Sequence, residues 1–337
     1  MKMNRFLILA MFGLSLLLGC GKPNEPESLG SGPDNSGGYK IVKRISTLGF
    51  AQDVVKKDNL LYIAQGEAGL MIIDASDTSN VQMLADTVPN LQGYSSKLAV
   101  KDSLVFIAAG SNGIFMIDVS DPAQPEQIDI NLLNNVTVRN IDILGNYLFA
   151  SISEHGFSMY NISIPLDPIY YGNVETAGYA HDLAVTSDTA YVLAACGELG
   201  LSIFNITQFQ TGITTFVGSC DTEGYAEAIA IDEDASIAYL ACGTMGLQVV
   251  DYADTANISV IGSFDYGGYA KDLIVKDNKV YMTAELSGLH ILDVSNPANI
   301  KLEGVVDTEF ALGIEMDDQY IYVADEEGGL LLITKIN

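Results

Sequence analysis

"GYAHDLAV" (178–185) returns almost unchanged as "GYAKDLIV" (268–275), with "GFAQDVV" (49–55) and "GYAEAIA" (224–230) as looser copies. Each copy is a short apolar run behind a Gly-aromatic pair, the pattern of a β-strand and too short for a helix. Only the residue after Ala changes freely. A second element recurs with it: a Gly opens an apolar strand at Gly69, Gly113, Gly156, Gly200, Gly246, Gly288 and Gly329, as in "GLHILDVSNP" (288–297). These glycines lie roughly 41 to 46 residues apart, the period of a four-stranded propeller blade.

Within a unit the order is a "GYAxDLxV" strand, a turn such as "KDN" (276–278), a strand such as "VYMTA" (280–284) and a Gly-marked turn. The "GLxIxDVS" strand, an "NP" or "DP" turn and a last strand such as "IKLEGVVDT" (300–308) follow. Seven copies predict an all-β fold, a seven-bladed β-propeller of four-stranded antiparallel blades with the "GYA" strand innermost. The chain stops in "GGLLLITKIN" (328–337), a third strand, while "YKIVKRIST" (39–47) aligns with an outer strand. The N-terminal strand is therefore expected to complete the last blade and remove its open edge.

The "GLHILDVSNP" strand with its partners "GYAKDLIV" and "VYMTAE" resembles the LVIVD-repeat family of bacterial and archaeal surface proteins, over residues 39–337. Repeats one, two and six carry the likeness best. Repeat three has Thr137 and Val138 in place of the aromatic-Ala pair, and repeat seven ends in "ITKIN". The resemblance implies a propeller at the cell surface and, for most members, no assigned activity.

Ahead of the repeats, Lys2 and Arg5 precede the apolar run "FLILAMFGLSLLL" (6–18), too short for a permanent membrane span but suited to a secretory signal. It ends in "LLGC" (17–20), which resembles a lipobox. Residues 1–19 are thus expected to be a lipoprotein signal peptide, and Cys20 the acylated start of the mature chain, anchored by lipid alone. An ordinary cleaved signal with an incidental Cys20 is the alternative. Gly21 follows, where Asp would have suggested inner-membrane retention, so the expected location is the outer membrane. Residues 20–38, rich in Gly, Pro, Ser and Asn, read as acylated Cys and flexible tether, and 39–337 as the propeller.

A formal charge of −27 argues against nucleic acid or anionic lipid headgroups as partners. Three cysteines remain. Cys196 and Cys242 fall at matching points of successive repeats, which favours free buried thiols over a disulfide; the redox state of Cys220 is open. No spacing reads as a metal or cofactor motif, and a monomeric propeller is expected.

Two sets of aromatics recur. Phe50, Tyr94, Tyr179, Tyr225, Tyr269 and Phe310 precede the Ala, and Tyr62, Phe106, Phe149, Tyr239, Tyr281 and Tyr322 lie in the second strand. Both are expected to be packing wedges between blades, since a sugar-stacking surface would need aromatics on only a few blades. The Gly-x-x-Gly turns read as hairpins, and Asp74, Asp118, Asp251 and Asp293 as turn-stabilising carboxylates.

The free position yields a ring of Gln52, Ser96, Arg139, His181, Glu227, Lys271 and Leu312, one per blade, at the mouth of the central channel. Beside it runs Asp53, Lys97, Asn140, Asp182, Ala228, Asp272 and Gly313. The turn tips Glu67, Ser111, Glu154, Glu198, Thr244 and Glu327, with His155, open on the same face. The first reading is a binding or scaffold module with a protein or glycan partner at this mouth. The second is a hydrolase or lyase using His181, Asp182, Glu227, Asp272 and Asp53, with or without a divalent cation. The third is a periplasm-facing assembly lipoprotein. With three His, no G-x-S-x-G elbow and no dinucleotide fingerprint, no catalytic set stands out.

Overall fold

Five-residue strands that are apolar on both faces can bury those faces only by stacking sheet on sheet, and here seven sheets do so in a ring. The structure, a computed structural model, describes residues 35–88, 91 and 93–336; the expected signal peptide, Cys20 and the tether up to Asp34 lie outside them. Asn35–Asn337 form one compact unit. Six blades follow the chain without interruption, the first being Asp53–Lys57, Leu60–Ala64, Leu70–Asp74 and Gln82–Ala85, in that spatial order. The inner strands of blades 2 to 6 begin at Lys97, Asn140, Asp182, Ala228 and Asp272.

Blade 7 takes three strands from the C-terminal end, Ala311–Met316, Ile321–Asp325 and Gly329–Lys335, and its outer one from Tyr39–Ile45. Tyr39 pairs with Lys335 and Ile45 with Leu330, antiparallel, so the N-terminal strand closes the ring. The ordered chain reaches back further, since Asn35 accepts the Val305 N–H of the neighbouring blade at 2.8 Å. Every blade shifts register between its third and outer strands, as at Ile72/Ile73 and Ile291/Leu292. Such bulges twist the exposed edge away from pairing with another chain.

The core is divided into seven apolar clusters, one per blade junction. At the closing junction Tyr322, Ala324, Leu330 and Leu332 meet Val54, Leu61, Ile63 and Met71. The second-strand aromatics are all buried, as wedges between blades should be. The other aromatic set departs from expectation: Phe50, Tyr94 and Tyr179 are exposed and Tyr225, Tyr269 and Phe310 half-buried. They stand before the inner strand starts, on the face where the second-to-third turns open, and there Tyr94, Tyr225 and Tyr269 lie across Gly66, Gly197 and Gly243 of the preceding blade.

Asp74, Asp118, Asp251 and Asp293 each accept the backbone N–H two residues on, at 2.8 to 2.9 Å, and so close the turn after the third strand. Cys196, Cys220 and Cys242 are free thiols, the first and last buried.

Candidate functional site: the channel mouth

The residue after Ala starts the inner strand with its backbone and leaves its side chain to the mouth. The N–H groups of Gln52, Ser96, Arg139, His181, Glu227 and Lys271 each donate to the last carbonyl of the second strand, at 2.8 to 3.0 Å. Because the repeat puts this position at one radius in every blade, all seven side chains, Leu312 included, line one cavity of about 310 Å³. Tyr94, Thr137 and Val138, from the loops entering blades 2 and 3, complete its wall. Of the neighbouring ring, Lys97, Asn140, Asp182, Ala228 and Asp272 line the cavity; Asp53 and Gly313 do not.

The wall is asymmetric. Blades 3 to 6 contribute Arg139, His181, Glu227 and Lys271, whereas blades 7, 1 and 2 contribute the uncharged Leu312, Gln52 and Ser96. Glu227 is the hub of the charged arc. Its carboxylate accepts Lys271 Nζ at 2.9 Å and Tyr269 Oη at 2.6 Å, and lies 3.4 Å from His181 Nδ1. Burial pushes the carboxyl up, but the His181 contact, the Lys271 charge and the Tyr269 hydrogen bond outweigh it and bring it down to about 2. His181 Nε2 hydrogen-bonds Tyr225 Oη at 2.9 Å. Arg139 donates Nε–H to Ser153 Oγ at 3.0 Å, and no carboxylate pairs with it among the described residues. Gln52 Nε2 is buried with no hydrogen-bond partner.

Below the wall lies a polar floor. Lys97 of blade 2 reaches Asp53 of blade 1 at 3.1 Å and crosses the channel to Asp272 of blade 6 at 2.5 Å. Burial works against the Lys97 ammonium, yet the Asp272 and Asp53 carboxylates override it and hold its pKa above the ordinary lysine value. Asn140 donates to Asp182 in a short contact. Burial raises Asp53 to about 6, Lys97 opposing, and raises Asp182 to about 7, with the Asp272 charge adding.

These carboxylates have a structural task as well. An innermost strand has no neighbour on its channel side, so some of its N–H groups lack a ladder partner. Asp53 accepts Leu98 N–H at 3.0 Å, Asp182 accepts Ile229 N–H at 2.9 Å, and Glu315 accepts Lys56 N–H at 3.4 Å, each from the next blade. Asp53 and Asp182 therefore fasten blade to blade, whereas Asp272 accepts the Leu273 N–H of its own strand and the Lys97 ammonium.

Sequence reasoning missed Tyr225, Tyr269 and Ser153 as members of the mouth. The signal was present: Tyr225 and Glu227, like Tyr269 and Lys271, are two residues apart, and an extended chain turns such pairs to one side. Among the described residues no group of three or more His, Cys, Asp or Glu is arranged to hold a metal ion.

Comparison with protein families finds the LVIVD repeat at residues 48–86, 92–130, 267–308 and 311–333. The chain carries LVIVD repeats. In this LVIVD propeller the matched segments fall on blades 1, 2, 6 and 7, and blades 3 to 5 fold alike. Comparison with curated proteins finds no significant match. Among solved structures, a chain of the mitotic checkpoint complex superposes with a TM-score of 0.70 at 13% identity, covering 97% of this chain and 99% of that one. The computationally designed Ika8 protein superposes at 0.62 and 12% identity, over 85% and 83%. At such identities the likeness shows the fold alone, and a propeller carries no activity by itself.

Proposed function

We propose that this LVIVD propeller is a binding module of the bacterial cell envelope, held by lipid on Cys20 and a tether, whose channel mouth engages a protein or glycan partner. The observation that carries the reading is the wall ring. The position after Ala carries a different residue in each of the seven repeats, and its seven side chains converge on a single cavity. Constant residues build the blades, and the variable ones are gathered where a ligand would touch them. The cavity, about 310 Å³ and closed below by Lys97, accepts one side chain or one sugar ring and not a large cofactor. Around it the same face exposes Tyr179, Leu199, Met245 and Leu286 on blades 4 to 6, which favours a protein partner that covers the mouth and inserts one group.

Photo-crosslinking probes placed at Arg139 and His181 in living cells test the binding role. A discrete protein or glycan adduct supports it, and no adduct from either position counts against this face. Cys20→Ser tests the anchor, with loss of the protein from the membrane fraction as the expected result. Protease shaving of intact cells then separates a surface-facing from a periplasm-facing module.

A further inference from the structure

Six of the seven blade junctions share a backbone bridge at the mouth face. The second-to-third turn of one blade pairs with the residue that enters the inner strand of the next: Gly66 with Ser95, Gly110 with Val138, Ser153 with Ala180, Gly197 with Ala226, Gly243 with Ala270 and Glu285 with Ala311. At the closing junction the corresponding residues are Glu326 and Ala51, and no bridge joins them among the described residues. The blade 7 turn is instead tied to its own blade. Glu326 N–H donates to the Phe310 carbonyl at 2.9 Å, while the buried Asp325 carboxylate accepts Phe310 N–H at 2.8 Å and Gly328 N–H at 2.6 Å.

Where the bridge is missing a groove opens, about 770 Å³, between that turn and the segment entering blade 1. Leu48, 68% exposed, and Phe50, 53% exposed, lie along it with Glu67, Glu326 and Glu327, and no Lys or Arg is among its lining residues. Arg44 stands beside Gly328, its guanidinium paired with Glu309 at 3.7 Å. The groove therefore offers apolar side chains in a negative field that its own surroundings leave unbalanced.

We infer that this groove is a docking site for an extended segment of a partner protein in which lysine or arginine alternates with large apolar residues. Leu48 and Phe50 would cover the apolar side chains, and Glu67, Glu326 and Glu327 would pair with the basic ones. The apolar contacts supply affinity and the carboxylates select the partner's sign. This site is separate from the channel mouth and does not depend on it.

The test uses the full chain and a short fluorescein-labelled peptide of alternating lysine and leucine, read by fluorescence anisotropy. E67Q/E326Q/E327Q should weaken binding on the order of tenfold, and F50S should weaken it separately. D58N/D102N/D318N removes the same charge from turns on the opposite face and should change affinity less than about twofold. R139A/H181A should leave it unaltered. Hydrogen exchange should show peptide-dependent protection at 46–50 and 326–329. The inference is overturned if the groove variant binds like the parent, if the opposite-face variant loses as much, or if a lysine-serine peptide binds as tightly. Loss confined to R139A/H181A would place the peptide at the mouth instead and likewise overturn it.

Discussion

Lys97→Met is the most informative single change at the mouth, because one ammonium serves two carboxylates from two other blades. The Asp53 and Asp272 side chains are only 7% and 15% exposed, so neither can recover its lost partner by turning to bulk water. Removing one member of a buried ion pair costs about 3 to 5 kcal/mol, since a charge is left behind in a poorly polarisable site. For a folded unit of this length that is a fall in melting temperature of roughly 5 to 8 °C. The loss should depend on pH. Asp53 is raised to about 6 even with Lys97 in place, so the folded state already holds more protons than the unfolded state between about pH 4 and pH 6. Stability contributed by such a group falls as pH rises through that window. Without Lys97 the Asp53 carboxyl rises further, the window extends upward, and K97M should be far weaker than the parent at pH 8 but close to it near pH 5. Thermal unfolding of both proteins from pH 5 to pH 8.5 measures this. A K97M deficit that stays constant with pH, or no deficit at pH 8, would refute the claim that the ammonium neutralises the channel floor.

Glu227→Gln should show the opposite sign. With its carboxyl lowered to about 2 from 4.5, the parent holds this stability above pH 4.5 and loses it as pH falls toward 2, so the variant should be weaker by about 2 to 3 kcal/mol at pH 7, with the gap narrowing in acid unfolding curves. Gly246→Ala should cost about 3 kcal/mol or more, because φ is +65° and a Cβ would stand 2.3 Å from the Phe264 carbonyl oxygen, while Gly110→Ala, at φ +57° with nothing within 4 Å, should cost about 1 kcal/mol; paired denaturation curves decide. Cys196 and Cys242 are fully buried, and burial raises both thiols, Cys242 to about 12, so a thiol reagent should label them only on unfolding and reach the half-buried Cys220 first.

Much of the site could be read before any coordinates because repetition does geometric work. Once each "GYA" element is taken as an innermost strand, the residue after Ala must occupy one height and radius in every blade, and Gln52 through Leu312 must meet. The exposure of Phe50, Tyr94 and Tyr179 was not legible in the same way. A large apolar residue in every repeat fits a buried wedge and an exposed rim equally well, and the choice depends on which side of the preceding Gly turn the ring falls.

Local pattern determined the blade count, the strand order and the closure by Tyr39–Ile45, because each depends only on periodicity and on which strand the ends lack. Tertiary structure decided which charges meet. Lys97 and Asp272 are 175 residues apart and belong to blades that are not neighbours in the ring. They become partners only when the ring closes and sets blade 2 across the channel from blade 6, a distance that no repeat by itself encodes. The unbridged junction between blades 7 and 1 has the same origin. There Asp325 and Glu326 bond within their own blade, where the other six junctions bridge to the next.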